Sequence, residues 1–141
     1  VDKRSADELR RWVVDADKMS FFEAGDTLYS CRKTHYDEIE ALSGRLAVIY
    51  SGVAMGQIFK GRLKPEHPLS LFIGCSRNIV PRVELSREDA LNYLRRQDIP
   101  AAQFDEGINI VEYGGVAIGF IKRIGARCNN MYPKDLRIIK L

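Results

Sequence analysis

The segment Tyr50-Ser-Gly-Val-Ala-Met-Gly-Gln-Ile58 returns 63 residues later as Tyr113-Gly-Gly-Val-Ala-Ile-Gly-Phe-Ile121, with Tyr, Gly, Val, Ala, Gly and Ile in the same six places. Each copy follows a stretch with helical spacing. β-branched residues sit on both sides of a Gly where the chain must reverse. Turn chemistry alone makes all Gly-Val hairpins look alike, but it does not ask for six identities in nine positions. The echo therefore predicts two related halves, each a helix followed by a twisted hairpin. Gly56 and Gly119 fall inside the strands, where Gly weakens pairing and marks a bulge or a close approach. At Gly119 the approaching group is RNA backbone, a neighbouring strand or a helix, and the sequence alone does not choose among them.

The remaining elements are read in order. Ser5-Ala6-Asp7-Glu8 has capping-box spacing, and Leu9, Trp12, Val13 and Ala16 share a face, which predicts a helix over 5–16 with Trp12 as its core anchor. Met19–Cys31 reads as a hairpin around Ala24-Gly25-Asp26. Thr34 and Asp37 mark a helix over 35–43. The first strong strand pair is Arg45–Arg62, turning at Ser51-Gly52, with Pro65 as its stop. Pro68, Leu69, Phe72 and Ile73 predict a short helix over 67–75. A strand over Ile79–Leu85 precedes a helix capped by Ser86 and Asp89, with Ala90, Leu91 and Leu94 as its buried stripe. The second strand pair is Gly107–Arg123 with a turn at Gly114-Gly115. A turn at Pro133 then leads to a last strand, Leu136–Leu141.

Charge is distributed unevenly. Gly119–Leu141 carries net +5, whereas Val1–Ile118 carries −2 of a chain total of +3. A near-neutral body with a basic end points to a polyanion for that end. Asn129, Asn130 and Tyr132 stand among these cations. Amides reach base edges and aromatic rings stack bases, so the stretch offers RNA more than charge. A solvated basic surface is the alternative reading.

Other chemistry is poorly represented. No Gly-rich nucleotide loop is present. Cys31 and His35 are the closest Cys/His pair, and His67, Cys75 and Cys128 are scattered, short of the four ligands a structural zinc needs. No activating neighbour stands near Cys75 in the sequence, so it reads as a small buried residue. Asp37, Glu38 and Glu40 sit at a helix start, where the macrodipole favours acids. The three cysteines are odd in number and dispersed, which argues for a reducing compartment. No apolar run reaches membrane-span length and the N-terminus lacks a signal-peptide core, so a cytoplasmic protein is expected.

Near the end, Gly119-Phe120-Ile121-Lys122 is followed by Asn129-Asn130-Met131-Tyr132-Pro133-Lys134-Asp135-Leu136-Arg137. This resembles the close of bacterial 16S ribosomal RNA cytosine-C5 methyltransferases of the Nol/Nop/Sun family, in their RsmF-like branch. Upstream, Gly52–Gly56, Gly61–Leu69 and the helix with Ala90, Tyr93 and Leu94 resemble the same region, so the likeness spans about Trp12 to Arg137. The Tyr-Pro-Lys-x-Leu-Arg element is its most specific part. Asn129, Met131 and Asp135 depart from the family pattern of Lys, His or polar, and Gly, which lowers local charge. The family's S-adenosylmethionine loop and catalytic cysteine motifs have no counterpart here.

The resemblance implies an α+β fold of PUA-like type, with small, mixed or antiparallel, β-barrel-like sheets and short helices. It implies a leading helix over 1–17, a linker domain over 18–80 and a PUA-like domain over 81–141. It implies a non-enzymatic, RNA-binding accessory region that positions a methyltransferase core on ribosomal RNA, the core lying in cis or in trans. Lys122, Arg123, Arg127, Lys134 and Arg137 would meet phosphates. Asn129, Asn130 and Tyr132 would meet bases or sugars, and Pro133 would fix the presenting turn. No cofactor is expected in this chain, since S-adenosylmethionine would bind the absent core. A monomer without membrane contact is expected. The competing class is a protein-interaction module that docks the methyltransferase core or a ribosomal protein through Phe120, Met131 and Tyr132.

Overall fold

The computed structural model describes residues 2–33, 52–72 and 74–139. It divides into two compact units, Val1–Ser76 and Arg77–Leu141. Each holds a four-stranded sheet whose strand order follows the chain. The α+β expectation holds. Among the described residues the sheets are open rather than closed into barrels. The expected helix over 35–43, the strand before Ser51 and the end of the last strand lie outside the described residues.

In the first unit, helix α1 covers Lys3–Arg11. Its N-cap is Asp2, whose Oδ1 accepts from Ser5 N at 2.8 Å, so Ser5 lies inside the helix instead of capping it. That hydrogen bond also holds the Asp2 carboxyl below its ordinary pKa. Glu8 does not close a capping box. It is buried, and its carboxylate accepts from Leu63 N at 2.6 Å and from Arg11 at 2.7 Å. The helix ends at Arg11, short of residue 16, because the β-branched pair that follows takes up a strand-like pairing. Val13 bridges Cys75, Val14 N donates to Gly74 O at 2.7 Å, and Ser76 N donates to Trp12 O at 2.7 Å. Trp12 and Leu9 are buried, as their spacing requires.

Strands β1 (Met19–Ala24) and β2 (Thr27–Arg32) form the expected hairpin, with Gly25 at φ 62°. Strand β3 (Val53–Phe59) does not run on to Arg62. It turns at Lys60-Gly61, both at positive φ, into β4 (Arg62–Pro65). Two successive left-handed residues make the tight turn whose twist suits a hairpin. Helix α2 spans only His67–Leu71, since the chain beyond it is needed for the pairing with Val13 and Val14.

In the second unit, β5 (Arg82–Glu84) lies parallel to β6 (Gly107–Tyr113), and helix α3 (Arg87–Leu94) falls between them in the chain. A parallel pair needs such a crossover. Ser86 caps α3, its Oγ accepting from Asp89 N at 3.1 Å. The buried positions are Ala90 and Tyr93. Leu91 and Leu94 are half-buried, so the stripe lies one step round the helix from its expected place. Strand β7 (Val116–Ile124) pairs with β6 across Gly114-Gly115, as expected. A further strand, β8 (Arg127–Asn130), pairs with β7. Beyond Pro133 the chain forms a 3₁₀ turn, Lys134–Leu136, in place of the start of the expected strand.

The repeat is a backbone repeat. In β3 the register passes from Leu28↔Gly56 to Tyr29↔Ala54, leaving Met55 as a bulge. In β7 it passes from Val111↔Gly119 to Glu112↔Ala117, leaving Ile118 in the same place. The two glycines serve different neighbours. A Cβ on Gly56, which has φ 135°, would lie 2.0 Å from Lys64 O, and one on Gly119 would lie 2.0 Å from the Tyr93 hydroxyl. The group approaching Gly119 is therefore a helix side chain rather than RNA. Tyr93 donates to Phe120 O at 2.7 Å, and burial raises its phenol pKa well above the ordinary value. Around it pack Leu85, Ala90, Ile99, Phe104, Val111 and Ile121.

This wedge yields a stability prediction. Gly119→Ala should cost about 1–3 kcal/mol by overpacking. Tyr93→Phe should cost about 1–3 kcal/mol by removing the buried hydrogen bond to Phe120 O. Their double mutant should cost less than the sum, because the clashing oxygen is gone. Urea unfolding of the three variants tests this, and strict additivity would contradict the wedge.

Candidate nucleic-acid interface

The basic end is built on the β7–β8 hairpin. Lys122 pairs with Asn129 and Ile124 with Arg127, so these four side chains share one face of the ribbon. All four are exposed. On the other face Ile121 is buried, Cys128 is half-buried, and Cys128 and Tyr132 pack against the cluster around Tyr93. Burial, reinforced by Glu106 and opposed by Arg123, raises the Cys128 thiol pKa, which leaves the group a poor nucleophile.

Three residues expected at the RNA surface serve the fold instead. Arg123 donates to Phe104 O at 2.6 Å and to Gly125 O at 2.8 Å, and Glu106 lies 3.9 Å from it. Asn130 donates to Tyr93 O at 2.9 Å and accepts from Tyr132 N at 2.9 Å. The Tyr132 ring rests 5.4 Å from that of Tyr93 at a tilt of 58°, so it is a packing residue rather than an open stacking platform. Phe120, expected at a protein-binding surface, is only 1% exposed, and Met131 is half-buried. Lys122, Arg127, Asn129, Lys134 and Arg137 are exposed. Pro133, at φ −59°, starts the 3₁₀ turn. In such a turn residues three apart eclipse, which puts Lys134 and Arg137 on one side.

The tail is seated on the C-terminal end of α3, where helix carbonyls lack intrahelical partners. Asn130 takes Tyr93 O, and Ile138 N donates to Leu94 O at 2.9 Å. Arg96 stands just past the helix at φ 59°. Its amide bonds Tyr93 O and that of Gln97 bonds Asn92 O, the Schellman arrangement usually given to Gly. Its guanidinium donates to Asn130 O at 3.0 Å. Sequence reading missed Arg96 because nothing local distinguishes it from any other surface arginine. It also missed two acids that hold hairpin turns. Glu84 accepts from Gly114 N and Gly115 N at 2.7 and 2.8 Å, and Glu106 accepts from Gly125 N at 3.1 Å. Both act across separations that no short motif records.

Among the described residues, the ion pairs join Arg10 to Asp17, Arg11 to Glu8 and Arg123 to Glu106. Lys122, Arg127, Lys134 and Arg137 have none. Burial lowers the His67 pKa and raises that of the Cys31 thiol. Among the described residues no group of three His, Cys, Asp or Glu stands close enough to hold a metal. No described helix is long and apolar enough to cross a membrane.

Residues 80–138 match the family model described as the methyltransferase RsmF PUA domain. The chain is 28% identical over 121 residues to ribosomal RNA small subunit methyltransferase F of Klebsiella pneumoniae (strain 342), covering 82% of this chain and 24% of that protein. It is 31% identical over 104 residues to the protein of the same name from Shewanella baltica (strain OS223), covering 70% of this chain and 21% of that protein. The chain thus spans about a quarter or less of the length of these relatives. The second unit of the chain belongs to the methyltransferase RsmF PUA domain family.

Proposed function

We propose that this chain binds structured ribosomal RNA and positions on it the core of an rRNA cytosine-C5 methyltransferase, attached in cis or supplied in trans. Methyl transfer and S-adenosylmethionine binding belong, in this reading, to that core and not to this chain. The observation that carries the proposal is the contrast within the basic end. Four cations, Lys122, Arg127, Lys134 and Arg137, are exposed and form no ion pair among the described residues. Their neighbours Arg123, Asn130 and Tyr132 are tied into the core. Cations on a fixed frame lose little conformational freedom when phosphates arrive. Asn129, beside Lys122, supplies an amide for a base or a sugar hydroxyl.

A second reading, docking of a protein such as the methyltransferase core, is favoured by Leu136 and Ile139, which are 54% and 82% exposed beside the same cations. Salt-insensitive binding to a protein with no RNA shift in a gel would support it.

Phosphate contacts make affinity fall with salt, by about 0.7–0.9 in the logarithm per contact. Lys134→Glu with Arg137→Glu should weaken binding to a 16S ribosomal RNA fragment and lower the salt slope by about 2. An unchanged affinity and slope would sink this face. Asn129 and Asn130 should separate by role. Asn129→Ala should leave stability within about 0.5 kcal/mol while weakening RNA binding. Asn130→Ala should cost about 1–3 kcal/mol in unfolding free energy, since the Tyr93 carbonyl loses one of its donors and Tyr132 N loses its acceptor. Equal effects of the two on stability would contradict the assignment.

A further inference from the structure

We infer that the first unit carries a second RNA-binding face, on the β3–β4 hairpin, which takes an unstacked base of single-stranded RNA on Phe59. The inference rests on the RNA reading of the second unit, whose surface chemistry this hairpin shares. Phe59 pairs with Arg62 and Gln57 with Lys64, so these four side chains share one face of the ribbon, and all are exposed. Ile58 and Leu63 point the other way, toward the side where Glu8 of α1 holds Leu63 N. The corresponding face of the second unit holds Ile124 opposite Arg127 and Lys122 opposite Asn129. Each face thus presents an apolar residue opposite an arginine beside the turn, then a lysine opposite an amide. The lysine and the amide have exchanged strands. Both hairpins follow an equivalent bulge, at Met55 and at Ile118, but β7 runs two residues further before it turns, so the shared pattern is counted from the turn and not from the repeat.

Two features mark RNA rather than a neutral partner. The segment Val53–Pro65 contains three cations and no acid. Lys60, Arg62 and Lys64 form no ion pair among the described residues. Phe59 is 67% exposed, so one face of its ring is open to a stacking partner. The Lys60 ammonium stands over the ring at 5.4 Å from its centroid, a weak contact at an exposed site that leaves the flexible lysine free to move to a phosphate. A ring flanked by cations is the arrangement that stacks a base while holding the backbone. The second unit has Ile124 at this place and so lacks the ring. The first face therefore adds a preference for unpaired nucleotides.

The test is fluorescence anisotropy on the full chain, with a labelled oligouridine of about 10 nucleotides and a fully paired RNA duplex. Phe59→Ala should weaken oligouridine binding about 5-fold or more and leave duplex binding within about 2-fold. Phe59→Trp should restore the affinity. Arg62→Glu with Lys64→Glu should weaken binding to both RNAs and flatten the salt dependence. An oligouridine affinity unchanged by Phe59→Ala would overturn the inference and leave this face to a protein partner, and an equal loss on both RNAs would overturn the stacking. Should Lys134→Glu with Arg137→Glu weaken binding while Phe59→Ala does not, this inference alone fails. Should the wild type bind neither RNA, the reading of the second unit fails with it.

Discussion

The second unit depends on how Tyr93 meets Gly119. A phenol from a helix reaches a strand position that has no side chain and donates to the adjoining carbonyl of Phe120. Burying that hydroxyl without a partner would be costly, so the hydrogen bond fixes the ring's depth as well as its direction. The bulge at Ile118 and the glycine beside it open the space. From the same helix turn, the Tyr93 carbonyl accepts from Asn130, and the ring packs on Tyr132. One residue thereby links the helix, the central strand and the basic tail. A loose tail would spread its cations over many directions, and a seated one presents them together.

The turns are held by a different device. Type I′ hairpin turns need left-handed residues, which glycines supply at Gly114 and Gly115, and their amides then point outward. Glu84 occupies both. At the β7–β8 turn Glu106 takes the amide of Gly125, while Arg123 takes its carbonyl, so acid and base grip one residue from two sides. These charges are spent inside the protein. Counting cations in the tail consequently overstates what is open to a polyanion, and the distinction between Arg123 and Arg127 emerges only from register and partners.

Much of the architecture was legible in the sequence, for identifiable reasons. The hairpins at Gly25 and at Gly114-Gly115 are dictated by local turn chemistry, and the Ser86 cap by a single hydroxyl at the right spacing. The strand glycines of the repeat mark a bulge or a close approach, and both occur beside them. Errors arose where distant partners overrule local preference. α1 ends at Arg11 because Val13 and Val14 pair with the chain around Cys75. The strand expected to run to Arg62 turns at Lys60, a residue with no intrinsic liking for positive φ. Tyr132 read as a stacking residue from composition, yet its neighbour Asn130 folds the chain back so that the ring meets Tyr93. The exposed cations are visible as residue types, and which of them form no ion pair among the described residues is not.

The binding of ribosomal RNA by the seated tail is most directly tested by nuclear magnetic resonance. A ¹⁵N-labelled sample of the chain would be titrated with a structured 16S ribosomal RNA fragment. The expected result is a set of amide shift changes centred on Lys122, Arg127, Asn129, Lys134 and Arg137, all of which are exposed. Signals of the core around Tyr93 should stay in place. Saturating RNA that leaves those five amides unmoved, or moves only residues remote from the β7–β8 hairpin and the 3₁₀ turn, would contradict it.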